Sequence, residues 1–345
     1  MVHGVPSRLR QQLRVMPCHV IGRLLAVFLL LLPLVAHAAY AGSEAAAVGD
    51  AGARRSGSAP RLFGDGQLIA AQRFSVEVVG HGPDVILCPG IASSREVWRA
   101  LADKLRDHVR LHLVQVAGFA GEPPGANGQG PILVPLAEAV AAYAATLGPA
   151  RPLLIGHSMG GTIGLLIAER HPDALGGLLL VDTLPFLGIL YGPDATPESI
   201  EPVARTLRDR MLAHSESQFE QTETGLLTQM VKDSGGARLA LRDAIASDRS
   251  VMARSLDEHM TLDTRPDLAK IRVPVVVLYP WDKVSGRSLE FTDALYADSY
   301  AVLGNKRLVR VDGALHYIML DQPQRFAAEV QRFLDSQATP SEQSH

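Results

Sequence analysis

One short stretch of this sequence, residues 156–161 with the letters GHSMGG, has the residue types and spacing for nucleophilic chemistry. An apolar run typical of a strand, residues 152–155, precedes it, and a run typical of a helix, residues 162–170, follows it. A serine between glycines at such a junction is typical of a nucleophile elbow, a sharp turn that holds the hydroxyl clear of the backbone. The glycines are needed because a Cβ at their positions would press on the neighbouring strand or helix. We therefore predict that Ser158 is a nucleophile.

A serine hydroxyl is a weak nucleophile until a base takes its proton and a third group holds that base in the right tautomer. His316 is the candidate base, because it follows a predicted strand and turn and precedes the final helix, from where its ring can reach Ser158. Two carboxylates at the carboxyl ends of predicted strands, Asp282 and Asp182, could orient this histidine. We expect Asp282 to be the acid, with Asp182 as the alternative.

Acyl transfer also needs hydrogen-bond donors for the oxyanion that develops on the substrate. The backbone N–H of Met159, which opens the helix after the elbow, is the first candidate. The second should come from the loop after an early strand, residues 89–94, where Gly90 allows the amides to turn inward. We expect the N–H of Ile91 to be that donor, with its neighbour Ala92 in reserve.

The elements that must position these residues alternate along the chain. Residues 67–79 predict an antiparallel edge pair, and the strands that follow are apolar runs, as in a parallel sheet covered by helices on both faces. The predicted strands are 85–88, 111–116, 153–155 and 178–181, and the helices between them are 94–106, 132–147 and 162–170. This order predicts an α/β fold with a mostly parallel, doubly wound sheet.

The alternation stops after the sixth strand, where residues 185–268 contain no convincing strand. The segment predicts four amphipathic helices, 197–214, 217–232, 236–246 and 250–260, before the sheet resumes at 273–279. The strand 307–311 and the helix 323–334 complete the core, which we assign to residues 61–184 and 269–336, with a tail at 337–345. An insertion at this edge of a parallel sheet lies where ligands bind, so we expect a helical cap over Ser158.

Four apolar or aromatic residues in or beside the cap are candidate substrate contacts, although cap residues of this kind could equally form the core of the cap itself. They are Phe186, Leu187, Tyr191 and Trp281. Such a lining suggests a small apolar ester-like substrate.

The first 38 residues predict a signal peptide, with arginines, then an apolar run, then an A-x-A cleavage signal, and the true start could be Met16. Residues 39–60 are rich in Ala, Gly and Ser and predict a disordered leader. We therefore expect an exported protein, periplasmic or secreted, with an uncleaved membrane anchor as the alternative. Cleavage would leave Cys88 as the single cysteine, so we expect no internal disulfide.

Composition narrows the function classes. The chain has 345 residues, 47% of them hydrophobic, and a net charge of −3 without a basic cluster. This balance argues against nucleic acid as a partner. The sequence indicates neither a metal site nor a cofactor.

These motifs resemble those of the α/β-hydrolase superfamily, in its single-domain branch with a helical cap, the esterase- and lipase-like branch. The resemblance spans about residues 68–335, and Asp282 and His316 fall at that branch's acid and base positions. The chain has Pro89-Gly90 where the family often has His-Gly, and residues 279–281 replace a turn that often carries glycine. Haloalkane dehalogenases and epoxide hydrolases of this fold use an aspartate at the elbow, so Ser158 argues against both.

The resemblance implies a serine hydrolase that cleaves a carboxylic ester through an acyl-enzyme. A C–C bond hydrolase, a lactonase, a thioesterase and a cofactor-free peroxidase use the same residues and remain alternatives. A ligand-binding receptor that retains the fold is the non-enzymatic alternative.

Overall fold

A computed structural model describes residues 66–338, in which the predicted strands form one eight-stranded sheet. The strands are β1 (Gln67–Ala70), β2 (Phe74–Val79), β3 (Asp84–Cys88), β4 (Arg110–Val116), β5 (Leu153–His157), β6 (Gly177–Val181), β7 (Val275–Trp281) and β8 (Lys306–Asp312). Their order across the sheet is β1-β2-β4-β3-β5-β6-β7-β8. The pairs β1–β2 and β2–β4 are antiparallel, and the other pairs are parallel.

Ten α-helices accompany this sheet within the described residues. They are α1 (Arg99–Leu105), α2 (Leu133–Ala145), α3 (Met159–Arg170), α4 (Pro197–Ala213), α5 (Glu216–Leu227), α6 (Ser234–Ala246), α7 (Arg249–Thr261), α8 (Leu289–Ser299), α9 (Ile318–Asp321) and α10 (Pro323–Ala338). Four of them, α4 to α7, lie between β6 and β7, the place predicted for the cap. The predicted signal peptide, the leader at 39–60 and most of the predicted tail lie outside the described residues.

The sheet is buried on both faces because its central strands are apolar at successive positions. Ile86 and Leu154 pack with α2, α3 and the cap, whereas Leu87 and Ile155 pack with α1 and α10. Two hydrophobic layers therefore enclose the sheet, as the uninterrupted apolar runs predicted. The predicted fold, an α/β-hydrolase sheet with flanking helices and a helical insertion after the sixth strand, is confirmed.

Helix α5 ends earlier than its sequence predicts, at Leu227 rather than at residue 232. The backbone N–H groups of Lys232 and Asp233 donate to Asp321 Oδ1 at 2.8 and 2.9 Å, and the Met230 carbonyl accepts from Tyr317 at 3.2 Å. These contacts replace helical hydrogen bonds. Residues 228–233 therefore form a turn that contacts the part of the core that follows β8. We call this segment the cap turn.

Between residues 66 and 338, no helix has the length and apolar character needed to cross a membrane.

Candidate active site

Ser158 stands on a strained turn between β5 and α3. Its backbone has φ 53° and ψ −119°, a conformation that is costly for a residue with a side chain. The neighbouring glycines leave no room for a Cβ: one at Gly156 would lie 2.3 Å from the Gly160 carbonyl oxygen, and one at Gly160 would lie 2.1 Å from that of Cys88. The local geometry is therefore that of a nucleophile elbow, as the sequence predicts.

His316 lies in the loop between β8 and α9, and its ring contacts the carboxylate of Asp182, which follows β6. Its Nδ1 is 2.6 Å from Asp182 Oδ2, and both side chains are mostly shielded from solvent, at 19% and 16% exposure. Asp182 has a positive φ of 44°, so its backbone is also strained. A carboxylate at this distance holds the ring with Nδ1–H as the donor, which leaves Nε2 as the basic nitrogen.

The prediction that Asp282 contacts His316 is wrong, because Asp282 lies too far along its strand. The register pairs Val181 with Leu278, so Asp182 is level with Tyr279 and Asp282 comes three residues later. There the Asp282 carboxylate accepts from the Val284 N–H at 2.9 Å and pairs with the ammonium of Lys232 from the cap turn. The Lys232 hydrogen bond lowers the pKa of Asp282. This carboxylate therefore joins the cap to the core.

A second contact holds the Asp182 carboxylate from its other side. The hydroxyl of Tyr296, on α8, donates to Asp182 Oδ1, and the ring of Tyr279 stacks on that of Tyr296 at a centroid distance of 4.4 Å. Burial and the negative charge of Asp182 raise the pKa of Tyr296 well above its ordinary value. The phenol therefore stays protonated and acts as a donor to the carboxylate.

The loop after β3 lies beside the elbow, as predicted. Ile91 and Ala92 line the same cavity as Ser158, and Ala92 has a positive φ of 56°. Within the described chain, the backbone N–H groups of Ile91 and Met159 have no hydrogen-bond acceptor. Two amides beside the serine thus remain available to a developing oxyanion, although Met159 itself does not line the cavity.

Two further histidines near His316 are neutral because they are buried. His157 Nε2 is 3.2 Å from the His316 carbonyl oxygen, and burial lowers its pKa well below the ordinary value. Burial likewise lowers the pKa of His259, whose Nε2 is 3.0 Å from Thr162 Oγ1, to about 4. A Cβ at Gly90 would lie 2.9 Å from His157 Nδ1, so the Pro89-Gly90 sequence leaves space for this supporting ring.

A cavity of about 330 Å³ lies between the sheet edge and the cap, and it is lined by Ser158, Asp182 and His316. Its walls are mostly apolar side chains from the cap. They include Leu187, Leu190, Met211, Leu226, Met230 and Met252. The size and lining suit a small, largely apolar molecule. Within residues 66–338, no group of three or more His, Cys, Asp or Glu side chains could hold a metal ion.

Only two of the four predicted substrate contacts line this cavity, Leu187 and Trp281. Phe186 is 1% exposed, and the guanidinium of Arg265 lies 4.4 Å from its ring centroid. Tyr191 packs against the hydrophobic core. Residues of the cap thus divide between the cavity lining and the interior of the protein.

The cysteine at the end of β3 is a core residue. Cys88 is fully buried, and burial raises its pKa to about 12, so its thiol is not a nucleophile.

Tyr296, His259 and Glu223 are among the cavity residues that carry no prediction from the sequence. A signal for Glu223 was available, because it lies four residues from both Phe219 and Leu227 and so interrupts the apolar face of α5 with a carboxyl. Tyr296 and His259 had no such signal, since their roles depend on contacts with distant segments.

Comparison with known proteins agrees with this geometry. The sequence profile described as the alpha/beta hydrolase family matches residues 85–329. The pimeloyl-[acyl-carrier protein] methyl ester esterase of Aeromonas salmonicida is 30% identical over 275 residues, which cover 75% of this chain and 98% of that protein.

Solved structures give the same fold. A hydrolase from Pseudomonas aeruginosa superposes with a TM-score of 0.64 at 22% identity, covering 79% of this chain and 98% of that one. A thermophilic esterase from Thermogutta terrifontis superposes with a TM-score of 0.63 at 21% identity, covering 79% of this chain and 100% of that one.

Proposed function

The chain belongs to the α/β-hydrolase family, and we propose that it is a serine hydrolase that cleaves carboxylic esters through Ser158, His316 and Asp182. The observation that carries the proposal is the 2.6 Å contact between His316 Nδ1 and Asp182 Oδ2, over the same cavity as the strained Ser158. The similarity to a methyl ester esterase supports an ester as the substrate.

In this mechanism the Ser158 hydroxyl attacks the ester carbonyl carbon while His316 Nε2 accepts its proton. Asp182 holds the ring in the tautomer that leaves Nε2 free, and it stabilises the imidazolium that forms. The amides of Ile91 and Met159 donate to the oxyanion. His316 then gives the proton to the leaving alcohol, and a water molecule activated by His316 releases the acid from Ser158.

The lining of the cavity supports a small apolar ester. Methionine and leucine side chains from the cap surround the space above Ser158, so an apolar acyl or alcohol group gains free energy by leaving water there.

We also propose that the protein is exported. The support for export is the sequence of residues 1–38, with its basic, apolar and A-x-A segments in order. Expression with and without these residues, followed by fractionation and mass measurement of the mature N-terminus, tests this part. Retention of the intact N-terminus in the cytoplasm would contradict it.

Labelling with a fluorophosphonate probe and hydrolysis of p-nitrophenyl esters test the chemistry. Wild-type protein should be labelled on Ser158 and should turn over the esters, whereas Ser158→Ala should lose both properties and keep its thermal stability. Ser285→Ala is the matched control, because Ser285 also lines the cavity and should be dispensable. Labelling of the Ser158→Ala protein, or its continued turnover, would contradict the proposal.

Parallel assays with methyl esters, lactones and thioesters of one acyl chain define the bond that is cleaved. The proposal predicts that oxygen esters have the highest kcat/KM. A thioester or lactone that is hydrolysed a hundredfold faster would replace the ester in the proposed function.

A further inference from the structure

Glu223 is a carboxyl group on a mostly apolar wall of the cavity. It lies on the buried face of α5 between Phe219 and Leu227, each four residues away. The residue is 3% exposed, and it lines the same cavity as Ser158. The helix therefore presents one carboxyl group to the cavity, beside the hydroxyl of Thr222, on a face whose other members are hydrophobic.

This carboxyl has no hydrogen-bond partner in the described part of the chain, and burial raises its pKa to about 7. The other buried cap carboxyl nearby differs: Asp243 accepts from the Ser94 N–H at 2.9 Å and pairs with Arg242. A buried polar group without a partner destabilises the fold, so its presence in the same cavity as Ser158 needs another explanation.

The surroundings of Glu223 favour a neutral hydrogen-bonding partner over a charged one. Among the cavity residues, Tyr317 has a hydroxyl 3.1 Å from Ser93 Oγ, and burial raises its pKa to about 12, so this neighbour is a neutral phenol. A protonated carboxyl donates one hydrogen bond and accepts another. A hydroxyl group satisfies both at once, whereas an ammonium would first have to be stripped of water among leucine and methionine side chains.

We propose that Glu223 is a specificity-determining residue that selects esters carrying a hydroxyl group on the chain that lies against α5. This inference rests on the proposed function, and it adds to it a polar feature of the substrate. A site built to hydrogen-bond a hydroxyl discriminates against the analogue that lacks it, because the protein group is then left unpaired.

The test compares wild type with Glu223→Leu, Glu223→Gln and the control Glu220→Gln, an exposed carboxylate on the same helix. The substrates are p-nitrophenyl esters of straight acyl chains with and without a terminal hydroxyl, from about six to about eight carbons, to match the cavity and to avoid cyclisation of shorter hydroxy esters to lactones. A second set carries the hydroxyl on the alcohol side, which identifies the chain that reaches α5.

Wild type should prefer the hydroxylated member of at least one pair by about tenfold in kcat/KM. Glu223→Leu should abolish this preference, so that both members of the pair have a similar kcat/KM, while Glu223→Gln should keep part of it because an amide also donates and accepts. Glu220→Gln should behave as wild type. A preference that survives in Glu223→Leu, or a wild type that prefers no hydroxylated ester in either set, would overturn the inference. So would a stronger preference of wild type for the same ester with a terminal ammonium group in place of the hydroxyl.

If no ester of either set is hydrolysed, the proposed function is wrong. The preference of Glu223 for a hydroxyl group can then be tested by binding instead of by hydrolysis. Binding of 1-hexanol and 1,6-hexanediol is then followed by the shift in melting temperature. The diol should stabilise wild type more than the alcohol does, and this difference should vanish in Glu223→Leu. Equal shifts for the two compounds in wild type would count against the role of Glu223.

Discussion

The hydroxyl of Tyr296 donates to Asp182 Oδ1, the carboxylate oxygen that the ring of His316 leaves free. Each oxygen of this buried carboxylate therefore has its own donor, one from the imidazole and one from a phenol on α8. The pair fixes the plane of the carboxylate, and through it the orientation of the imidazole that faces Ser158.

The first prediction separates the two candidate acids. Asp182→Asn should lower kcat by about a thousandfold or more, because an amide does not hold the histidine in the required tautomer or stabilise its charged form. Asp282→Asn should lower it by less than about tenfold, since this carboxylate contacts Lys232 and Val284 instead of His316. Steady-state kinetics on one p-nitrophenyl ester measures the kcat of both variants. A larger loss of kcat in Asp282→Asn than in Asp182→Asn would mean that Asp282 is the acid.

The second prediction concerns the phenol beside the acid. Tyr296→Phe should reduce kcat about tenfold with little change in KM, because it removes a hydrogen bond to a charged group that positions His316. Tyr143→Phe is the matched control: it removes the hydrogen bond of a partly buried phenol, 2.7 Å from His112 Nδ1, outside the cavity lining. Equal losses of kcat in the two variants would indicate a general effect on packing.

The third prediction is a pH dependence of stability. The pKa of Glu223 is about 7 in the folded protein and near 4.5 when the chain is unfolded, so its contribution to stability is present below pH 4.5 and is lost as the pH rises toward 7. Glu223→Gln removes this loss. The free energy of unfolding of the variant relative to wild type should therefore increase between about pH 4.5 and about pH 8, by about 3 kcal/mol at most.

Urea unfolding of both proteins at several pH values provides this measurement. Glu220→Gln, on the exposed side of the same helix, should show no such trend. If the difference in the free energy of unfolding between Glu223→Gln and wild type stayed constant across this range, the carboxyl of Glu223 would be ionised in the folded protein at low pH or would accept a hydrogen bond there.

The fourth prediction tests the packing of the elbow. Gly160→Ala places a Cβ 2.1 Å from the Cys88 carbonyl oxygen, so α3 must move away from β3, and we expect the protein to lose at least about 3 kcal/mol of stability or to fail to fold. Gly225→Ala meets no atom within 4 Å and should stabilise α5 by up to about 1 kcal/mol. Thermal melts compare the two, and similar effects would contradict the crowded geometry of the elbow.

The elbow and the base could be predicted from sequence because their signals are local. Gly156 and Gly160 flank Ser158 within five residues, and the strand and helix that they join are evident from apolar runs. His316 could be placed because the order of elements fixes which loops meet at the carboxyl edge of a parallel sheet.

The acid could not be chosen in this way, because the choice depends on how far β7 extends. Continued pairing with β8, up to Trp281 opposite Asp312, carries Asp282 past the level of His316. Periodicity does not reveal the end of that pairing. The one local sign of this longer pairing is that residues 279–281 replace a turn that often carries glycine in the family.

The cap contacts depended on tertiary packing as well. An apolar residue such as Phe186 has the same sequence signature whether it faces a substrate or, as here, the guanidinium of Arg265. Glu223 illustrates the opposite case, because a polar residue on an apolar helix face is conspicuous in the amino-acid sequence itself.

The cap turn has a mechanical consequence. Asp321 accepts the amides of Lys232 and Asp233 through Oδ1 and that of Leu315 through Oδ2, at 2.8–2.9 Å, and Lys232 Nζ also donates to the Gly313 carbonyl at 3.1 Å. Leu315 immediately precedes His316, so the cap turn and the loop that carries His316 share one anchor. Displacement of the cap turn would break these hydrogen bonds, so the position of the cap and the placement of the loop that carries His316 depend on the same contacts.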